Sequence, residues 1–217
     1  MFFGIPNFFN VITNLPFGVT GFLGLMELKN AQDKELKQII LFLFTGFLLL
    51  MAGSSYYHFS PNNNALIYDR IPISIIVTSF LSFIIYISIN PSTVFKTLMI
   101  LNIIGIGSAV YWATSEYLGK GDLRWYGMVQ FFPIIAIPLI FYLYRPFFNA
   151  NKEVTFTLLL FTIAKIMEQY DKEVFKLSAG TISGHSLKHL FMSVAAYEIV
   201  RLIRKAKKYK EFVADII

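Results

Sequence analysis

The sequence has no cysteine, only three histidines and two tryptophans, and just 15% of its 217 residues are Asp, Glu, Lys or Arg. Without cysteine there are no disulfides, no thiolate metal sites and no cysteine nucleophile, so any metal must be held by imidazole or carboxylate. Scarce charge excludes an ordinary soluble domain of this size: 56% of the residues are hydrophobic, and the mean hydropathy is +0.60. Those values belong to an integral membrane protein. No positively charged region precedes the first apolar stretch, which opens Met1-Phe2-Phe3-Gly4, and a cleavable secretory signal is not expected. The chain also lacks a phosphate-binding glycine loop, a Gly-x-Ser-x-Gly nucleophile elbow and a nucleotide-binding pattern.

The net charge is +6, but the basic residues gather at one end, in Arg201, Arg204, Lys205, Lys207, Lys208 and Lys210. A juxtamembrane basic tail over residues 201–217, facing anionic lipid, accounts for them, and no nucleic-acid partner is expected. A bilayer core about 30 Å thick requires about 20 apolar residues as helix. On that measure the chain divides into seven spans and reads as one all-α transmembrane domain, residues 1–217. The spans run near Phe8 to Leu28, Gln38 to Tyr57, Asp69 to Ile89, Val94 to Glu116, Leu123 to Tyr144, Val154 to Tyr170, and from His185 into the basic tail. The turn formers Phe59-Ser60-Pro61-Asn62-Asn63-Asn64 and Asn90-Pro91-Ser92 separate spans two, three and four.

Seven spans put the termini on opposite sides. With the N-terminus outside, the inner segments hold Lys29, Lys34, Lys37, Lys96, Arg145, Lys152 and the tail, against Arg70, Lys120, Arg124, Lys172 and Lys176 outside. That excess favours N-out, C-in. Span two then ends at His58, span three starts at Asp69 and span seven starts at His185, all at one membrane face. His185 and His189 are four apart on a helix, so both imidazoles can address one point. Three imidazoles with an open fourth position suit zinc in the manner of a catalytic site. Each residue also has a plainer reading. An interfacial histidine can be simply hydrogen-bonded, Asp69 can cap the helix that contains Pro72, and Ser54, one turn before His58, can serve helix packing. Lys165 with Glu168 and Glu198 with Arg201 are spaced to neutralise each other, while Tyr56, Tyr57, Tyr111 and Trp112 suit an interface or a lipid pocket.

The combination Gly53-Ser54-x3-His58, Asp69-x2-Pro72 and His185-x3-His189 on the last span resembles the alkaline ceramidases and the wider CREST superfamily, which includes the progestin and adipoQ receptors. The resemblance covers essentially the whole chain, since Asn10 to Phe17 is similar to the first helix of that family. The short loops and the turn Gly121-Asp122-Leu123-Arg124 look like bacterial members, implying an inner-membrane location. The family's pattern implies zinc on His58, His185 and His189, with Ser54 and Asp69 assisting hydrolysis of the amide bond of ceramide or a related N-acyl lipid. It equally allows a non-enzymatic, zinc-containing receptor of the same architecture. A transporter with Lys165, Glu168 and Glu116 as its polar path is a third possibility.

Overall fold

The computed structural model describes residues 3–89 and 91–214, and no strand occurs among them. In chain order the helices are α1 (Phe8–Ile12), α2 (Leu15–Met26), α3 (Lys34–Phe59), α4 (Asn63–Ser88), α5 (Val94–Tyr117), α6 (Arg124–Leu143), α7 (Asn151–Gln169), α8 (Asp171–Leu177) and α9 (Gly184–Ala214). Short 3-10 turns follow α2 and precede α5. Three expectations touch residues outside this description: the opening Met1-Phe2, Asn90 of the Asn90-Pro91-Ser92 break, and residues 215–217 of the tail.

Five segments are long and apolar enough to cross a membrane: Phe8–Lys29, Lys34–Phe59, Asn63–Ser88, Val94–Tyr117 and Arg124–Leu143. An integral membrane protein is the consistent reading. Helices α7 and α9, expected as spans six and seven, are long enough but more charged, with Lys152, Glu153, Lys165 and Glu168 on one and Lys188, Glu198 and a basic run on the other. The first segment is also less regular than expected. It breaks between Ile12 and Leu15, where Pro16 enters the first turn of α2.

Local chemistry sets the boundaries. Asp33 caps α3 by accepting from the Leu36 N–H at 2.9 Å, and Asn62 caps α4 by accepting from the Ala65 N–H at 2.8 Å. The capping role considered for Asp69 is therefore taken by Asn62: α4 starts within the run of turn formers, and Asp69 lies inside it, with Pro72 in the helix interior. The basic run of residues 201–210 is a continuation of α9 packed on the bundle. Arg204 and Lys207 both reach Glu27, at 2.8 and 2.6 Å; Lys205 reaches Glu153 at 2.6 Å and Lys210 reaches Asp33 at 3.3 Å. Carboxylates at the ends of neighbouring helices, rather than lipid alone, balance its charge.

The long helices form an incomplete ring. Helix α3 packs between α2 and α4, α4 carries α5 and α6, and α7 packs along α9, which joins the ring through α2 and α1. Helices α6 and α7 face each other across a seam where their backbones scarcely approach. The tightly filled part of the interior lies toward the end where α9 finishes, with Leu36, Ile39, Ile40, Leu43, Phe83, Ile84, Val200 and Ile203 almost wholly inaccessible. At the other end, where α3 finishes and α4 and α9 begin, the ring encloses polar side chains and space.

Candidate metal centre

Helix α3 delivers Ser54 and His58 to this end, one turn apart on its inner face, and both are buried. Gly53 allows α3 to come close to α4: a Cβ there would stand 2.0 Å from the carbonyl oxygen of Tyr68. That carbonyl is the one Pro72, four residues on, cannot bond for want of an N–H. Helix α9 delivers the other two imidazoles. Its start is fixed by the Ser186 N–H donating to Ser183 Oγ at 3.1 Å and the His185 N–H donating to Asp171 Oδ1 at 2.7 Å. Gly184 lets this first turn sit on the end of α7, because a Cβ would meet the Met167 carbonyl at 2.1 Å.

The three histidines converge. Ring centroids are 4.6 Å apart for His58 and His185, 4.8 Å for His185 and His189, and 5.2 Å for His58 and His189. One nitrogen from each lies within 4.8 Å of the others, a span that an ion with bonds of about 2 Å can draw together. The donor chemistry fits such an ion. The Nε2 atoms of His58 and His185 are buried and have no hydrogen-bond partner, which is costly for an imidazole unless something else takes the lone pair. His189 is turned by a defined partner. Thr13 donates its hydroxyl proton to the Phe9 carbonyl at 2.6 Å and therefore presents a lone pair to His189 Nδ1 at 3.0 Å. The proton of His189 then resides on Nδ1, leaving Nε2 free to ligate. Among the described residues this cluster could hold a metal ion.

Around the rings lies a second layer of polar contacts. Asn10 Oδ1 accepts from Ser183 Oγ at 3.0 Å and Ser186 Oγ at 2.5 Å, tying α1 to the start of α9. Glu168 of α7 accepts from Lys165 Nζ at 2.8 Å and from Lys188 Nζ at 2.7 Å, while its Oε1 lies 3.9 Å from His185 Nδ1, beyond hydrogen-bond range. The sequence pattern did not single out Thr13 or Lys188. Its faint signal for the former was a run of polar residues, Asn10, Thr13 and Asn14, at helical spacing inside an apolar span.

Ser54, Asp69 and His189 line one cavity, which Phe47, Ile76, Val77, Phe161 and Met192 continue inward. Ser54 and Asp69 are both buried. A second, almost wholly apolar cavity shares those five residues and extends past Phe80, Ile134, Leu158 and Ile199, between α4, α6, α7 and α9. Together they make a passage with a polar end at the histidines and an apolar end deeper in the ring. Gln130 and Lys165 meet across the seam between α6 and α7 at 3.1 Å.

The chain matches no family model, and neither a curated protein nor a solved structure matches it significantly. Of the other polar residues considered from sequence, Lys165 pairs with Glu168 and Glu198 with Arg201 as spaced, and Glu116 accepts from Asn63 at 2.6 Å. Trp112 is buried, with the Arg70 guanidinium 3.7 Å from its centroid.

Proposed function

We propose that this protein is a zinc-dependent intramembrane hydrolase that cleaves the amide bond of ceramide or a related N-acyl lipid, releasing a fatty acid and an amine. One observation carries the reading: three imidazoles with uncommitted nitrogens stand beside a cavity that also holds Ser54 and Asp69 and opens into an apolar passage. In the proposed topology α7 and α9 complete seven spans, their charges turned toward the polar interior and the inner face, with the N-terminus outside and the histidines at the outer face. A bacterial inner membrane is the proposed location.

A zinc ion on His58, His185 and His189 would polarise the amide carbonyl and make water more acidic. The protein supplies the rest. The apolar passage takes the acyl chain, and its lining excludes water that would otherwise weaken the electrostatics at the reacting carbon. Entry from the bilayer is possible at the seam between α6 and α7, where the Gln130–Lys165 hydrogen bond is a removable bar. Ser54 Oγ donates to the carbonyl oxygen and keeps that contact as negative charge develops there. Asp69 takes a proton from the attacking water as the new C–O bond forms. It then returns that proton to the nitrogen as the C–N bond breaks, so the leaving group departs as a neutral amine.

Purified protein with its metal content measured, incubated with a panel of N-acyl lipids while released fatty acid is quantified, tests this. Wild type should release fatty acid, and His185→Ala should lose both metal and turnover. Metal-loaded wild type that cleaves none of the panel would instead favour a receptor with a structural metal.

A further inference from the structure

The hydrolase reading gives two half-buried cations no part in recognising the substrate. Lys165 of α7 and Lys188 of α9 line the same cavity as Ser54, Asp69 and His189, with side chains only 26% and 12% exposed. Lysine is rarely placed so unless its charge is matched. Here the match is incomplete. A single carboxylate, Glu168, serves both ammonium groups, at 2.8 and 2.7 Å, and Lys165 additionally donates to the neutral Gln130 at 3.1 Å. Two ammonium groups carry six N–H donors, of which these bonds engage three. The cavity wall formed by α7 and α9 thus carries one positive charge more than Glu168 cancels, with donors to spare. Asp69, the other carboxylate of the cavity, makes no ion pair with either ammonium group, whose bonded carboxylate is Glu168.

We propose that Lys165 and Lys188 form an anion subsite, and that the lipid substrate carries an acidic group, carboxylate or phosphate, on the amine side of its scissile amide. This rests on the N-acyl lipid reading of the site and narrows it. A ceramide, neutral throughout its head, offers these donors only hydroxyl oxygens and no charge. An N-acylated amino acid or an N-acylated amino-alcohol phosphate places its anion within a few bonds of the amide nitrogen, on the scale of this cavity. The bonds exchanged are those of any amide hydrolysis: water supplies the oxygen joined to the acyl carbon, the C–N bond breaks and the nitrogen gains the proton.

The test uses full-length protein in detergent with its metal content measured. Four probes share one acyl chain: N-palmitoylethanolamine, its O-phosphate, N-palmitoylglycine and palmitate. The expected result is that the phosphate or N-palmitoylglycine binds at least tenfold more tightly than the neutral parent. Compared at equal metal loading, Lys165→Gln/Lys188→Gln should reduce that preference to twofold or less, and Lys165→Arg/Lys188→Arg should retain it. Equal affinity of charged and neutral probes, or a preference undiminished in the glutamine variant, overturns the subsite. Palmitate binding as tightly as N-palmitoylglycine also overturns it, because the lysines would then read the acyl product. Cleavage of the neutral probe separates the two readings. Cleavage without charge preference removes the subsite and keeps the hydrolase, whereas charge preference without cleavage of any probe does the reverse.

Discussion

Replacing Thr13 with valine preserves the shape of the side chain and removes only the hydroxyl that faces His189. In the wild type that hydroxyl spends its proton on the Phe9 carbonyl at 2.6 Å, so toward His189 Nδ1, 3.0 Å away, it can act only as acceptor. The Phe9 carbonyl does not depend on it, since the Thr13 N–H also donates there at 3.0 Å. In the variant, a proton kept on Nδ1 would be buried without an acceptor, which costs about 1–3 kcal/mol. The metal-free ring escapes that cost by moving the proton to Nε2, the atom needed for ligation, and must reverse the change before metal can bind. The penalty therefore falls on metal affinity, and loss of an outer partner of a ligand histidine weakens binding about 10- to 100-fold, or about 1.4–2.7 kcal/mol. Competition for zinc against a chromophoric chelator measures it directly, with Thr13→Ser expected near wild type. If Thr13→Val binds zinc within twofold of wild type, the tautomer argument is wrong.

Asp69→Asn should keep its metal and lose at least a hundredfold in fatty-acid release, the scale of general acid–base catalysis; unchanged release at equal metal content would assign Asp69 to structure alone. Gly53→Ala sets a Cβ 2.0 Å from the Tyr68 carbonyl, a backbone contact that cannot swing aside, and should lower stability by about 1–3 kcal/mol in denaturant unfolding, whereas a neutral effect would mean that α3 and α4 separate easily. Asp33, at the turn before α3, is pushed up by burial, but the Leu36 N–H and Lys210 outweigh this and hold it below the ordinary carboxylate range. Its charged form thus stabilises the fold above the unfolded pKa of about 3.9, and that stability is lost as pH falls through the lower folded value. Asp33→Ala should cost about 1 kcal/mol at neutral pH, with the gap to wild type closing below about pH 4; a gap that stays constant into acid would contradict this.

The histidine site was legible because two independent patterns pointed to it. His185 and His189 share a helix face by spacing alone, and the alternation of spans brings the end of α3 and the starts of α4 and α9 to one end of the bundle. What could not be read were contacts made by the fold between distant segments. Thr13 and His189 are 176 residues apart, as are Asn10 and Ser186, and no local periodicity encodes such a pair. Asp69 was placed at a helix start because apolar residues become dense only there; the capping chemistry of Asn62 starts α4 earlier. The basic end of α9 looked like a tail because its charges cluster in sequence. Their partners, Glu27, Asp33 and Glu153, come from separate segments and become a set only where the end of α2 meets the starts of α3 and α7. Lys165 and Glu168 were readable as a pair, but the second cation on that carboxylate, Lys188, was not.

The same distribution of contacts says where a metal would matter mechanically. At the end where α9 finishes, packed aliphatic side chains and the ion pairs to Glu27, Asp33 and Glu153 fix α9 against α2, α3 and α7. At the histidine end the backbones of α3 and α9 hardly approach, and α9 is held there by hydrogen bonds to Asn10, Thr13 and Asp171. A metal shared by His58 on α3 and by His185 and His189 on α9 would be the direct tie between those two helices. Its binding energy should therefore appear as local as well as global stability. At a free zinc concentration a thousandfold above the dissociation constant the global gain is about 4 kcal/mol, visible as a rise in unfolding temperature. Hydrogen exchange should locate it: zinc should slow exchange in residues 54–59 and 184–190 far more than in 36–44, where packing already protects the backbone. Equal slowing in all three segments would mean that the ring behaves as one unit and that the metal is not a local clasp.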